Sequence, residues 1–131
     1  MFDQLLLHDP EEGIFGDCWR TCVGNLVGAH PAGVPHFAAE YGASWLAATN
    51  DWLCRLHQLY LVELPFEHAY KPRAGRRGGQ DAWTIATGVS PRFPGALHAV
   101  NYNLHTHEVF DPHPDKAGLV SFDIIDIPVP L

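Results

Sequence analysis

Cys18, His98 and Asp111 have the residue types and the chain order for covalent chemistry by a thiol. Cys18 lies in the run Gly16-Asp17-Cys18-Trp19-Arg20-Thr21-Cys22-Val23-Gly24-Asn25-Leu26-Val27-Gly28. That run predicts a short helix with Asp17 as N-cap, its carboxylate accepting an N–H of the next turn, and Gly28 as the stop. Cys22, Val23, Leu26 and Val27 recur at helical spacing and give the helix a face to bury. Unpaired N–H groups and the positive end of the helix dipole then lie beside the Cys18 sulfur and favour its thiolate. The charge of Asp17 opposes that effect.

A nucleophilic thiol needs a base. Residues 96–103 and 106–110 predict two strands of a hairpin, and if Asn103 and Thr106 flank its tip, His98 falls directly opposite Asp111. Residues opposed in this way share a face, with Cβ atoms about 4.5–5.5 Å apart, a distance at which a carboxylate orients an imidazole. His98 would take the thiol proton and later return it to the leaving group. Asp111 would hold the ring and stabilise its charged form. The Cys18 N–H supplies one donor for an oxyanion, and Gln4, the polar residue of an otherwise apolar segment, is the candidate for the second.

The remaining chain must position these groups. Phe2, Leu5, Leu6 and Leu7 form an apolar cluster expected to lie as a short strand or turn against the core. A loop follows at residues 8–13, and a second break at residues 29–35. Residues 36–41 predict a brief helical turn ended by Gly42, and Ser44 caps a longer helix carrying Trp45, Leu46, Trp52, Leu53 and Leu56. Strands are expected at 59–64, 82–87 and 119–127, with a long loop over 67–81 that could serve as a flap. Trp45, Trp52 and Trp83 read as core aromatics. Helices first and an antiparallel sheet after them define an α+β fold, and residues 1–131 form a single domain.

Three short motifs carry a family resemblance. Gly16-Asp17-Cys18-Trp19, Ala96-Leu97-His98-Ala99-Val100 and Val109-Phe110-Asp111-Pro112 resemble the papain-like cysteine peptidase superfamily. The similarity is nearest to the compact bacteriocin-processing peptidases and to small bacterial and phage proteins related to them. The resemblance implies a papain-like fold with N-terminal helices packed on a C-terminal antiparallel sheet. It also implies thiol attack on an amide, isopeptide or thioester carbonyl of a peptide, protein or small acyl substrate, with no cofactor. Gln4 corresponds loosely to the oxyanion glutamine of that superfamily. Trp19 resembles the Cys-Trp pair of papain itself.

Composition narrows the alternatives. A net charge of −7 argues against nucleic-acid or anionic-membrane binding. The one basic cluster, at residues 71–79, reads as a solvated loop. Three cysteines without a regular framework suit free thiols in a reducing, cytoplasmic setting, and Leu5-Leu6-Leu7 is too short for a signal or membrane segment. One rival reading is a zinc site drawn from His98, His105, His107, Asp111 and His113. Another is a peptidase-like domain that only binds, with the 67–81 loop as its recognition surface.

Overall fold

The structure, a computed structural model, describes residues 1–69 and 82–131. The basic cluster at 71–79 and most of the expected flap lie outside the described residues. Three α-helices come first: α1 (Cys18–Val27), α2 (Phe37–Tyr41) and α3 (Trp45–His57). The strands are β1 (Leu59–Pro65), β2 (Trp83–Val89), β3 (Leu97–Asn103), β4 (Val109–Phe110) and β5 (Ile124–Pro130). They form one antiparallel sheet in the order β1-β5-β2-β3-β4. The fold is α+β, as its sequence order predicts. No helix among the described residues is long and apolar enough to cross a membrane.

The helices pack on one face of the sheet. Trp19, Cys22 and Val23 of α1, Phe37 of α2, and Trp52 and Leu53 of α3 meet Leu61, Ile85 and Ala99 of the strands. Side chains alternate along a strand, so Ile125 and Ile127 face the other way, where they pack with Ala82 and Leu104. Between those isoleucines Asp126 points to the helix side. It is 1% exposed and directly across the ladder from Glu63; among the described residues no N–H or hydroxyl donates to its oxygens, and its hydrogen-bonding neighbour is the Glu63 carboxyl. Burial first, and the charge of Glu63 second, push its carboxyl up to about 8.

Several local expectations need correction. Gly28 ends α1 in the left-handed conformation as predicted (φ 73°). Asp17 and Ser44 precede their helices but make no side-chain cap bond. Asp17 is fully buried and accepts hydrogen bonds from the Leu6 N–H at 2.8 Å and from Arg20 Nε at 2.8 Å instead. Its carboxylate thus ties the N-terminal segment to α1. That segment forms no strand, and Phe2, Leu5, Leu6 and Leu7 are exposed rather than packed against the core. Trp45 and Trp83 are half-buried, and only Trp52 of the three tryptophans is a buried core residue. The last two strands are displaced: β4 shrinks to two residues, and β5 begins at Ile124 because residues 117–123 cross the sheet as irregular chain.

That crossing depends on one glycine. A Cβ on Gly88 would lie 1.6 Å from the Ser121 carbonyl oxygen, far inside contact distance. The flanking bonds Val120 N–H to Val89 O and Asp123 N–H to Thr87 O hold the segment in place. Gly88→Ala must therefore push residues 117–123 off the sheet. We expect a loss of stability of about 3 kcal/mol or more, measured by urea unfolding, against about 0.5 kcal/mol for Gly33→Ala, where a Cβ meets open space.

Candidate active site

Cys18 is the first residue of α1, so its backbone N–H has no acceptor within the helix. Its thiol stands beside the ring of His98, close enough to raise the proton affinity of that ring, and both line one cleft. On the other side of that ring, His98 Nε2 lies 2.7 Å from Asp111 Oδ1. With Nε2 taken by the carboxylate, Nδ1 is the ring nitrogen left for the sulfur. His98 is 5% and Asp111 3% exposed, so the imidazole–carboxylate pair is shielded from water while the sulfur is partly accessible. The three residues singled out from the sequence thus lie in one continuous line.

The register that joins them differs from the expected one. Asn101 pairs with Phe110 and Tyr102 with Val109, and the tip is a four-residue turn in which His107 takes the left-handed conformation (φ 64°). Asp111 is therefore not directly opposite His98. The shift is two positions, which preserves the alternation of faces. Asp111 lies one residue beyond β4, beside the stretch of β3 that β4 leaves unpaired. Its carboxylate is fixed by two further donors, the His113 N–H to Oδ1 at 2.9 Å and the Gly118 N–H to Oδ2 at 2.7 Å. The second donor belongs to the segment that Gly88 admits.

The electrostatics follow from these bonds. Burial works against a charged His98 ring, but the hydrogen bonds to Asp111 and Cys18 outweigh it and raise the ring to about 9. Burial would raise the Asp111 carboxyl, yet the His98 ring and the amides of His113 and Gly118 hold it below its ordinary value. Cys22, one turn behind Cys18, is wholly buried, and that burial pushes its thiol well up. The charged form is favoured at His98 and disfavoured at Cys22.

Gln4 reaches the same place by a different route. Its backbone N–H donates to Pro112 O at 2.9 Å, next to Asp111, and its side chain lines the cleft that contains Cys18 and His98. The amide donates one hydrogen from Nε2 to Leu6 O at 2.7 Å, and its Oε1 is buried without a partner among the described residues. Its second amide hydrogen has no acceptor among the hydrogen bonds of the described residues.

The cleft itself has a volume of about 560 Å³. Its walls are mainly apolar, with Phe15, Ala38, Trp45, Phe93 and Leu97 prominent. Arg92 also lines it, but the Arg92 guanidinium is paired with the Asp115 carboxylate at 2.8 and 3.0 Å. Trp45, Arg92 and His113 are cleft residues that the sequence reading did not place there. Trp45 read as ordinary core. His113 was weighed only as a metal ligand, although its position two residues after Asp111 is a usable signal. The histidines of the zinc reading do not converge: His105 and His107 are exposed at the hairpin tip, and His107 Nδ1 is 2.6 Å from the Tyr102 hydroxyl. Among the described residues no three His, Cys, Asp or Glu side chains form a metal-binding group. No protein-family model, curated protein or solved structure matches this chain.

Proposed function

We propose that this protein is a papain-like cysteine hydrolase or acyl-transferase that attacks an amide, isopeptide or thioester carbonyl. One observation carries the reading: the Cys18 thiol stands beside a buried imidazole whose far nitrogen is bonded to a buried carboxylate. In this reading the Cys18 thiol has given its proton to His98, its sulfur attacks the carbonyl carbon, and the negative charge moves onto the carbonyl oxygen. The Cys18 N–H and the free amide hydrogen of Gln4 are the donors for that oxygen. His98 passes its proton to the departing amine or thiol, and Asp111 keeps the ring oriented throughout. Water then attacks the thioester, giving up a proton to His98, and the acid and the free thiol are released. This chemistry needs no cofactor. The apolar cleft, with its Arg92 guanidinium already paired, suits an uncharged acyl group beside the scissile bond.

Alkylation by iodoacetamide at pH 7, read by peptide mass spectrometry, tests the site without a known substrate. Cys18 should react at least tenfold faster than Cys54, and Cys22 should stay unmodified in the folded protein. Slow labelling of Cys18, at the rate of Cys54, would overturn the enzymatic reading and leave a domain that only binds.

A further inference from the structure

Asp17 holds Leu6 by both of its backbone groups. The Leu6 N–H donates to Asp17 Oδ1 at 2.8 Å, and the Asp17 backbone N–H donates to Leu6 O at 3.2 Å. That same Leu6 oxygen accepts the hydrogen bond from Gln4 Nε2 at 2.7 Å. A carbonyl oxygen takes hydrogen bonds only from the nitrogen end of an amide, so Leu6 O decides which end of the Gln4 side chain lies beside it. Asp17 is fully buried, and Arg20 Nε, 2.8 Å from Oδ2, balances its charge. A charged acceptor makes a shorter and stronger bond than a neutral one, so the carboxylate holds Leu6 more firmly than an amide oxygen would.

Asp17 also directly precedes Cys18, the first residue of α1. The start of the helix sets the Cys18 N–H, and the Asp17–Leu6 bonds set the amide of Gln4. We propose that Asp17 is a positioning residue for the oxyanion donors, acting through Leu6 on Gln4. This inference rests on the cysteine-hydrolase reading and on the part Gln4 plays in it. A carboxylate that merely fastened the N-terminal segment to α1 would support every reaction of Cys18 alike. A positioning carboxylate supports those in which a carbonyl oxygen becomes charged, and only while Gln4 is present.

Two reactions separate these roles. Hydrolysis of S-ethyl thioacetate passes through an oxyanion, whereas alkylation of Cys18 by iodoacetamide displaces iodide from a saturated carbon and forms none. Asp17→Ala removes the acceptor for the Leu6 N–H, and Asp17→Asn keeps an oxygen there without its charge. Each is compared in the wild type and in Gln4→Ala. Gln4→Ala itself should slow hydrolysis by about 10²-fold. With Gln4 present, Asp17→Ala should slow hydrolysis by about tenfold and Asp17→Asn by about threefold. In Gln4→Ala neither should cost more than about twofold further. Alkylation of Cys18 in the Asp17 variants should stay within about threefold of the wild-type rate. Protection of the buried Cys22 reports that the fold is intact. If Asp17→Ala exposes Cys22 to label, Asp17→Asn alone carries the comparison, and labelling of Cys22 in both variants would overturn the positioning role. Equal losses with and without Gln4, or alkylation that falls in step with hydrolysis, would overturn it too, and the hydrolase reading would stand. Rapid alkylation of wild-type Cys18 without hydrolysis above the spontaneous rate would also overturn it, because no oxyanion then forms for Gln4 to hold. Slow alkylation of wild-type Cys18 removes the hydrolase reading and this inference with it.

Discussion

Replacing His98 with alanine should lower the hydrolysis of S-ethyl thioacetate by about 10²–10⁴-fold, the range for loss of a positioned proton-transfer group. The same change should slow alkylation of Cys18 by about tenfold or more, because the sulfur loses the imidazole beside it that would take its proton. The pH profile adds a signature that general misfolding would not produce. His98 is raised to about 9, so it keeps its proton through neutrality and gives it up as the pH climbs through that value. Turnover in the wild type should therefore decline as pH rises through about 9, where the departing group no longer finds a donor. Asp111→Asn, which removes the charge behind the ring, should move that decline to lower pH. A wild-type profile still rising smoothly beyond pH 10, or equal rates in the wild type and His98→Ala, would contradict the assignment of His98.

The second large effect concerns stability and lies away from the cleft. Asp126 ionises near 8 in the folded chain against an ordinary value of 3.8. Between those values the folded state holds a proton that the unfolded state has released. The stability linked to that proton is thus complete below about pH 4 and is lost as pH rises through about 8. Asp126→Asn keeps the shape but cannot ionise. At pH 9 the variant should unfold at a temperature about 10 °C above the wild type, corresponding to a gain on the order of a few kcal/mol. At pH 4 the advantage should vanish. Thermal melts by circular dichroism across that range provide the test, and parallel curves for the two proteins would contradict it. A milder decline between pH 6.5 and about 9 should persist in the variant, because the raised His98 ring loses its own contribution over that interval.

The helices, the first three strands and the order of Cys18, His98 and Asp111 were legible because local signals set them. Helical spacing marked α1, Gly28 marked its end, and the order of thiol, imidazole and carboxylate marked the chemistry. The hairpin register was not fixed by those signals. Leu104-His105 is not a preferred two-residue turn, and the chain uses a four-residue tip in which Asn103 Oδ1 accepts the His105 and Thr106 N–H groups. The role of Asp17 was misread for a related reason. A capping bond is local, whereas the bonds it actually makes come from Leu6 and from Arg20, and the first of these is a tertiary contact. Asp126 in Ile124-Ile125-Asp126-Ile127 breaks the apolar run of its strand, and which face a residue takes is invisible until the register is known. Long-range approach also decides Gly88, whose requirement comes from a carbonyl more than thirty positions away.

The N-terminal strap has a bearing on how the protein comes to be reactive. Gln4, Leu6 and Asp17 stitch the start of α1 to the turn that follows β4, so nucleophile and carboxylate share one brace. The imidazole arrives separately, on an inner strand of the sheet. A ribosome therefore releases the thiol long before the partner that arms it. On the proposed reading, the site can form only once β3 has joined the sheet.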